Sequence, residues 1–159
     1  LNWRSDMTSL PEVLLPRAVL RCIETQAEVA YPQECCGLLV GIRNASSITI
    51  SRAEASANVA GETAGVDTSR RFEVDPRLRL ALMRELEESG GTIVGLYHSH
   101  PNHPARPSRH DRHSIWEPEL LWLITAVEKG KAGVTTAHLP DLDARDFHAL
   151  KLRVVDGKD

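Results

Sequence analysis

The stretch His98-Ser99-His100-Pro101 constrains the fold of this chain more than any other. It follows Gly91-Thr92-Ile93-Val94-Gly95-Leu96-Tyr97, a short apolar run with a β-branched centre that reads as a buried strand ending at the histidines. Side chains along a strand alternate faces, so His98 and His100 point the same way, roughly 7 Å apart along the backbone. Two imidazoles on one face at a strand's end can grip a single metal ion.

The rest of the chain supplies elements to pack around that strand. Residues 1–12 read as a polar leader, partly disordered, and residues 13–159 as one domain. From residue 16 to 31, Val19, Leu20, Ile23, Ala27 and Ala30 recur at helical spacing, with Pro16 in the first turn and Pro32 just past the end. Glu34 then leads into an apolar strand, Cys35 to Ile42, and Asn44-Ala45-Ser46 turns the chain into a second, Ile48 to Ala53. Residues 56–71 are small and polar, a loop of functional length. Asp75-Pro76 is an N-cap followed by a first-turn proline, and Leu78, Leu82 and Leu86 share one face up to Gly90-Gly91. Beyond the histidines come a proline-bearing loop, a short helix from Ser108, and strands over 120–127, 134–139 and 147–155. Strands and helices that interleave in this way predict α/β layers.

Composition removes several classes. Hydrophobic residues at 42% and charged residues at 26% are ordinary for a soluble domain, and a net charge of −3 gives no footprint for nucleic acid. No apolar run approaches the ~20 residues that span a bilayer, so no membrane role is expected. The start lacks a basic-then-apolar signal pattern, and Cys22, Cys35 and Cys36 make an odd count. A reduced, cytoplasmic chain is therefore expected. Cys35-Cys36 could suggest a thiol nucleophile, but Gly37-Leu38-Leu39 beside it favours a buried structural pair.

A catalytic zinc usually takes three protein ligands and keeps one position open. His98 and His100 supply two, and Asp111 can supply the third, returned by a loop stiffened by Pro101, Pro104 and Pro107. A blander reading also fits Asp111, because Ser108-x-x-Asp111 spells a capping box. The two readings are compatible, since one helical turn would keep Ser108 and Asp111 on one side. Glu34 precedes a strand expected to share the sheet, and its carboxylate is the candidate base.

Together, Glu34, His98-x-His100-Pro101, Ser108 and Asp111 resemble the JAMM (MPN-plus) metalloproteases. That family's pattern is a distant Glu, then His-x-His, seven residues, Ser, two residues and Asp; here residues 101–107 are the seven and Arg109-His110 the two. Pro32-x-Glu34-Cys35-Cys36-Gly37-Leu38-Leu39-Val40-Gly41 also resembles the family's opening strand. Asn58 with Phe72-Glu73-Val74-Asp75-Pro76 resembles its approach to the central helix.

The resemblance implies a single-domain α/β sandwich, a curved mixed sheet flanked by helices and related to the cytidine-deaminase fold. It implies one zinc per chain with a bound water, held by His98, His100 and Asp111. Glu34 would be general base and proton shuttle, and Ser108 would hold the water or stabilise the oxyanion. The implied reaction is hydrolysis of a peptide or isopeptide bond after the C-terminal Gly-Gly of a ubiquitin-like protein. Compact members resemble prokaryotic forms that act on sulfur-carrier-type proteins, which makes such a carrier the expected partner. Residues 56–72 would be a mobile insertion able to pair with an extended substrate tail. Nothing in the sequence sets an oligomeric state.

Other readings fare less well. The metallo-β-lactamase pattern His-x-His-x-Asp-His fails at Asn102. A partner-binding module without catalysis would show a lost ligand, and none is lost. A zinc amidohydrolase acting on a small amide remains the alternative, since it needs the same groups. His103, His110 and His113 read as surface histidines, Arg70-Arg71 and Arg106/Arg109 as solvated charge, and Trp116 and Trp122 as core.

Overall fold

A computed structural model describes residues 3–7 and 9–156. In chain order the elements are β1 (Glu12–Pro16), α1 (Arg17–Ala30), β2 (Cys36–Arg43), β3 (Ser47–Ser56), α2 (Pro76–Ser89), β4 (Thr92–Pro101), α3 (Arg109–His113), β5 (Leu121–Glu128), β6 (Lys131–Pro140), β7 (Phe147–Leu150) and β8 (Leu152–Val155). The strands form one mixed sheet of 8 strands in the order β7-β6-β5-β4-β2-β3-β1-β8. β1 runs parallel to both β3 and β8, β4 runs parallel to β5, and the other pairs are antiparallel. The two outermost strands are consecutive in the chain and separated only by Lys151, so the sheet curls until its edges nearly meet. Val13 of β1 ties this junction to the β8 edge by donating its N–H to the Lys151 carbonyl at 2.9 Å.

This sheet wraps around α1. Ile23 and Ala27 face a core of Val13, Leu15, Leu39, Ile48, Ile50, Val94, Tyr97, Leu121 and Leu123. Gly37 lets the chains approach there, because a Cβ at that position would collide with the Tyr97 ring. The Tyr97 hydroxyl in turn hydrogen-bonds Gln26 of α1. On the other face of the sheet, α2 sets Leu78, Leu82 and Leu86 against Leu38, Val40, Ile93 and Leu120. Asp75 caps α2 by accepting the Arg77 N–H at 2.9 Å, and Gly90 (φ 79°) ends it.

The α/β sandwich with a curved mixed sheet is as expected, with local differences. Trp3 and Met7 pack against the core, and a 3-10 turn spans Trp3–Asp6. Over its described residues the expected leader is thus docked and runs into β1; Leu1, Asn2 and Thr8 lie outside them, as do residues 157–159 of the expected domain. The single strand expected over 147–155 is two strands on opposite edges of the sheet. Trp116, expected in the core, is 85% exposed, whereas Trp122 is buried.

Candidate active site

The histidines sit inside β4 and not beyond it, which places them at the middle of the sheet between β2 and β5. Leu39 pairs with Gly95 and Val40 with Ile93, so Val94 is an extra residue in the ladder. This bulge resets the alternation: Ile93 and Leu96 face α2, while Val94 and Tyr97 face α1. With Tyr97 turned to the α1 side, His98 and His100 lie together on the α2 side.

Register explains how Glu34 reaches them. Cys36 pairs with His98 across an antiparallel ladder, so two residues further on Glu34 stands opposite His100. Directly opposed residues share a face. The ladder continues through Cys35 and Ser99: the Ser99 N–H donates to the Cys35 carbonyl at 3.2 Å, and the Cys35 N–H donates to Ser99 Oγ at 2.8 Å. Glu34 is tied again from the loop side, its N–H donating to the Thr68 carbonyl at 2.8 Å and its carbonyl accepting from Asn58 Nδ2 at 3.3 Å.

Asp111 arrives from α3. Its Oδ2 accepts the Ser108 N–H at 2.9 Å while Ser108 Oγ accepts the Asp111 N–H at 3.0 Å, a complete capping box. The same carboxylate faces the histidines, Oδ1 lying 3.2 Å from His98 Nε2 and Oδ2 3.0 Å from His100 Nε2. Both readings of Asp111 therefore describe one geometry.

Glu34, His98, His100 and Asp111 are each at most 2% exposed. The Glu34 carboxylate and the two imidazoles offer nitrogen and oxygen atoms that all lie within 4.8 Å of one another. Burial, then the charges of Asp111 and Asp67, push the Glu34 carboxyl up to about 9. Asp111 ionises well below the ordinary carboxylate range: burial opposes this, but the His98 charge and the contacts from His100, His98 and the Ser108 N–H overcome it. Burial lowers the pKa of His98.

This donor set fits a cation. His100 Nδ1–H donates to the Pro104 carbonyl at 2.7 Å, which in the neutral ring leaves a lone pair on Nε2. That lone pair faces Asp111 Oδ2 at 3.0 Å and His98 Nε2 at 3.0 Å. His100 Nε2 and Asp111 Oδ2 then face each other as two acceptors, an arrangement that a proton or a cation between them would relieve. Glu34 Oε1 is buried without a hydrogen-bond partner, a further uncommitted ligand or base.

Several neighbours escaped the sequence reading. Phe72 stacks on His98 with ring centroids 4.2 Å apart, and Trp122 meets the same ring edge-on. His103, read as a surface histidine, stacks on His100 at 4.0 Å. The signal available was its position three residues after a metal-type histidine. Cys36 is buried and free, and burial pushes its thiol up to about 12, far from a nucleophile.

A nearly closed mixed sheet with a buried Glu-His-His-Asp cluster, its histidines on the central strand β4 and its carboxylates brought from the start of β2 and from α3, defines the JAB/MPN class of α/β domain. Residues 16–138 match the family described as prokaryotic homologs of the JAB domain, and the chain belongs to that family. It is 36% identical over 70 residues to a desampylase of Haloferax volcanii, a match covering 44% of this chain and 45% of that protein. The chain thus spans less than half the length of that curated relative. A solution structure of a Desulfitobacterium hafniense protein superposes with a TM-score of 0.77 at 27% identity, covering 91% of this chain and 94% of the other. One from Salinibacter ruber gives 0.64 at 26% identity, covering 90% and 91%. Both share the fold.

Proposed function

We propose that this protein is a zinc-dependent peptidase that hydrolyses a peptide or isopeptide bond after the C-terminal Gly-Gly of a ubiquitin-like, sulfur-carrier-type protein. The observation that carries the reading is the buried, unpartnered Glu34 carboxyl opposite His100, beside the His98–His100–Asp111 cluster. Family membership supports it, as does the relative's name, which denotes removal of a small ubiquitin-like modifier.

His98, His100 and Asp111 would hold the zinc, which when bound supplies a Lewis acid for the scissile carbonyl and for water. Ionised under the positive charge that the zinc would bring, Glu34 takes a proton from the attacking water. Oxygen bonds to the carbonyl carbon, the C–N bond breaks, and Glu34 returns the proton to the leaving nitrogen. Ser108 Oγ already accepts the Asp111 N–H, so its own proton is free for the developing oxyanion. A cavity of about 570 Å³ lies on the α2 side, walled by Leu38 and Leu96 and by Phe72 and Trp122, the two rings that pack on His98. The loop at 56–72 forms much of its rim, where an extended Gly-Gly tail could lie.

The test is a carrier-type protein bearing a C-terminal amide adduct after Gly-Gly, incubated with zinc-loaded protein and read by intact mass. Release of the adduct, abolished by a chelator and restored by zinc, is expected. Cleavage of small amides alone would replace this reading with an amidohydrolase.

A further inference from the structure

Beside the cluster the chain buries a further imidazole, His138 of β6, 7% exposed. Its place follows from strand register. His98 pairs with Ile124 and Ile124 with Thr136, while Leu96 pairs with Trp122 and Trp122 with His138. Directly opposed residues share a face, so His98, Thr136 and His138 stand on the same side of the sheet. Phe147 meets both His138 and Trp122 edge-on, with centroids 6.2 Å and 5.1 Å away. Thr135, one residue earlier on β6, turns to the opposite face and hydrogen-bonds Thr125 at 2.7 Å.

Thr136 and His138 form a hydrogen-bond chain that ends on the loop between β4 and α3. Thr136 Oγ1 donates to the Ala105 carbonyl at 2.6 Å and lies 2.8 Å from His138 Nε2. A hydroxyl has one proton, so with that proton on Ala105 the oxygen accepts from His138 Nε2–H. Both the neutral Nε2–H tautomer and the charged ring can make this bond. The preceding carbonyl, Pro104, accepts from His100 Nδ1–H at 2.7 Å and from the Arg106 N–H at 2.8 Å. Ala105 is therefore the centre of a three-residue turn, one carbonyl aimed at His100 and the next held by β6. The loop is tied at its start by the Asn102 N–H to the Val127 carbonyl at 2.6 Å, and at its end by the Ser108–Asp111 cap. Thr136 fixes its middle.

We propose that Thr136 is a positioning residue for the metal centre: through Ala105 it holds the Pro104 carbonyl where His100 Nδ1–H donates, which keeps the His100 Nε2 lone pair on Asp111 and His98. The partner of one ring nitrogen decides which nitrogen is left to act as a ligand. Without the tie from β6 the turn at Ala105 loosens, and the His100 ring can change tautomer or rotate. The inference rests on the zinc reading of the cluster and adds to it a residue two strands away that touches none of the four site side chains by hydrogen bond.

The experiment compares Thr136→Val, Thr136→Ser and Thr135→Val in the full chain. Valine keeps the shape and removes the hydroxyl, whereas serine retains it. Thr135→Val removes a hydroxyl bond from the opposite face of the same strand. Zinc affinity is read by competition with a chromogenic chelator. The His100 tautomer is read in the metal-free chain by long-range proton–nitrogen correlation spectra. In Thr136→Val, affinity should fall about 10–100-fold and the His100 ring should lose its single Nδ1–H form. Thr136→Ser and Thr135→Val should match the wild-type chain in both readouts. An unaltered Nδ1–H form in Thr136→Val overturns the inference. So does an equal loss of affinity in Thr135→Val, which would mark a general loosening of β6. If the wild-type chain takes up no zinc, the zinc peptidase reading fails, and the spectra still decide the role of Thr136. If Thr136→Val loses affinity but the wild-type chain cleaves no adduct-bearing carrier, the peptidase reading fails and the positioning role stands.

Discussion

Ser99 and Cys35 are joined twice, by Ser99 N–H to the Cys35 carbonyl at 3.2 Å and by Cys35 N–H to Ser99 Oγ at 2.8 Å. Ser99 separates the two histidines and Cys35 follows Glu34, so this pair sets the distance between the Glu34 carboxyl and the imidazoles. Ser99→Ala leaves the Cys35 N–H without its acceptor in a buried place, at a cost of about 1–3 kcal/mol. The expected result is a melting temperature lower by about 3–10 °C, with kcat reduced more than zinc content. An unchanged melting curve would show that the backbone ladder alone holds the strands.

Substitution of the proposed ligand Asp111 should separate metal binding from folding. Asp111→Asn keeps an oxygen for the helix cap but lowers the charge facing His98 and His100. Zinc affinity is expected to fall at least about 100-fold, read by competition with a chromogenic chelator. Retention of one zinc by this variant at wild-type affinity would remove Asp111 from the ligand set.

Glu34→Gln should retain zinc and lose hydrolysis by about 10²–10⁴-fold, the span typical of a general acid–base group. Parallel metal analysis and intact-mass assays on one preparation decide this. Full activity would require another base.

The high Glu34 pKa carries a sign that can be checked in the zinc-free protein. The unfolded carboxyl ionises near 4.5, while the folded one holds its proton to about 9. Between those values the folded state binds more protons, so stability is complete below pH 4.5 and declines as pH rises towards 9. At pH 8, Glu34→Gln should be more stable than the wild-type chain by at least about 1 kcal/mol, and at pH 4 the two should converge. Calorimetry in chelator across that range tests it, and parallel curves would contradict the burial argument.

The cap that Ser108 makes and the oxyanion role proposed for it can be divided by kinetics. Loss of the cap in Ser108→Ala costs about 1 kcal/mol of stability. Loss of an oxyanion donor costs about 100-fold or more in kcat with little change in KM. A variant that only melts earlier would assign Ser108 to holding Asp111.

The cluster was legible in the sequence because each member sits at a position that local rules already fix. His98 and His100 are two apart on a strand, and Ser108 and Asp111 spell a helix cap. Glu34 was legible as a carboxylate leading into a strand of the same sheet, but its place opposite His100 depends on a ladder with a bulge at Val94 that no periodicity reveals. β1 was missed because five residues, Glu12–Pro16, too few to establish alternation, end in proline. The division of 147–155 at Lys151 was hidden because strand composition continues on both sides while the partners change. Thr136 was missed because a lone threonine on a strand carries no signal until the pairing of β4, β5 and β6 sets it in the row of His98.

The single-residue seam at Lys151 also has a consequence for assembly in time. Val13 pairs with Ile48 on one side and with Leu152 on the other, partners that lie near and far along the chain. During synthesis β1 can join β3 early, while its outer edge waits until the last strand has been made. Closure of the ring is then a late, high-separation event of the kind that slows folding. Until it occurs, the α1-side core stays open along β1, and the nascent domain exposes a strand edge to neighbouring chains.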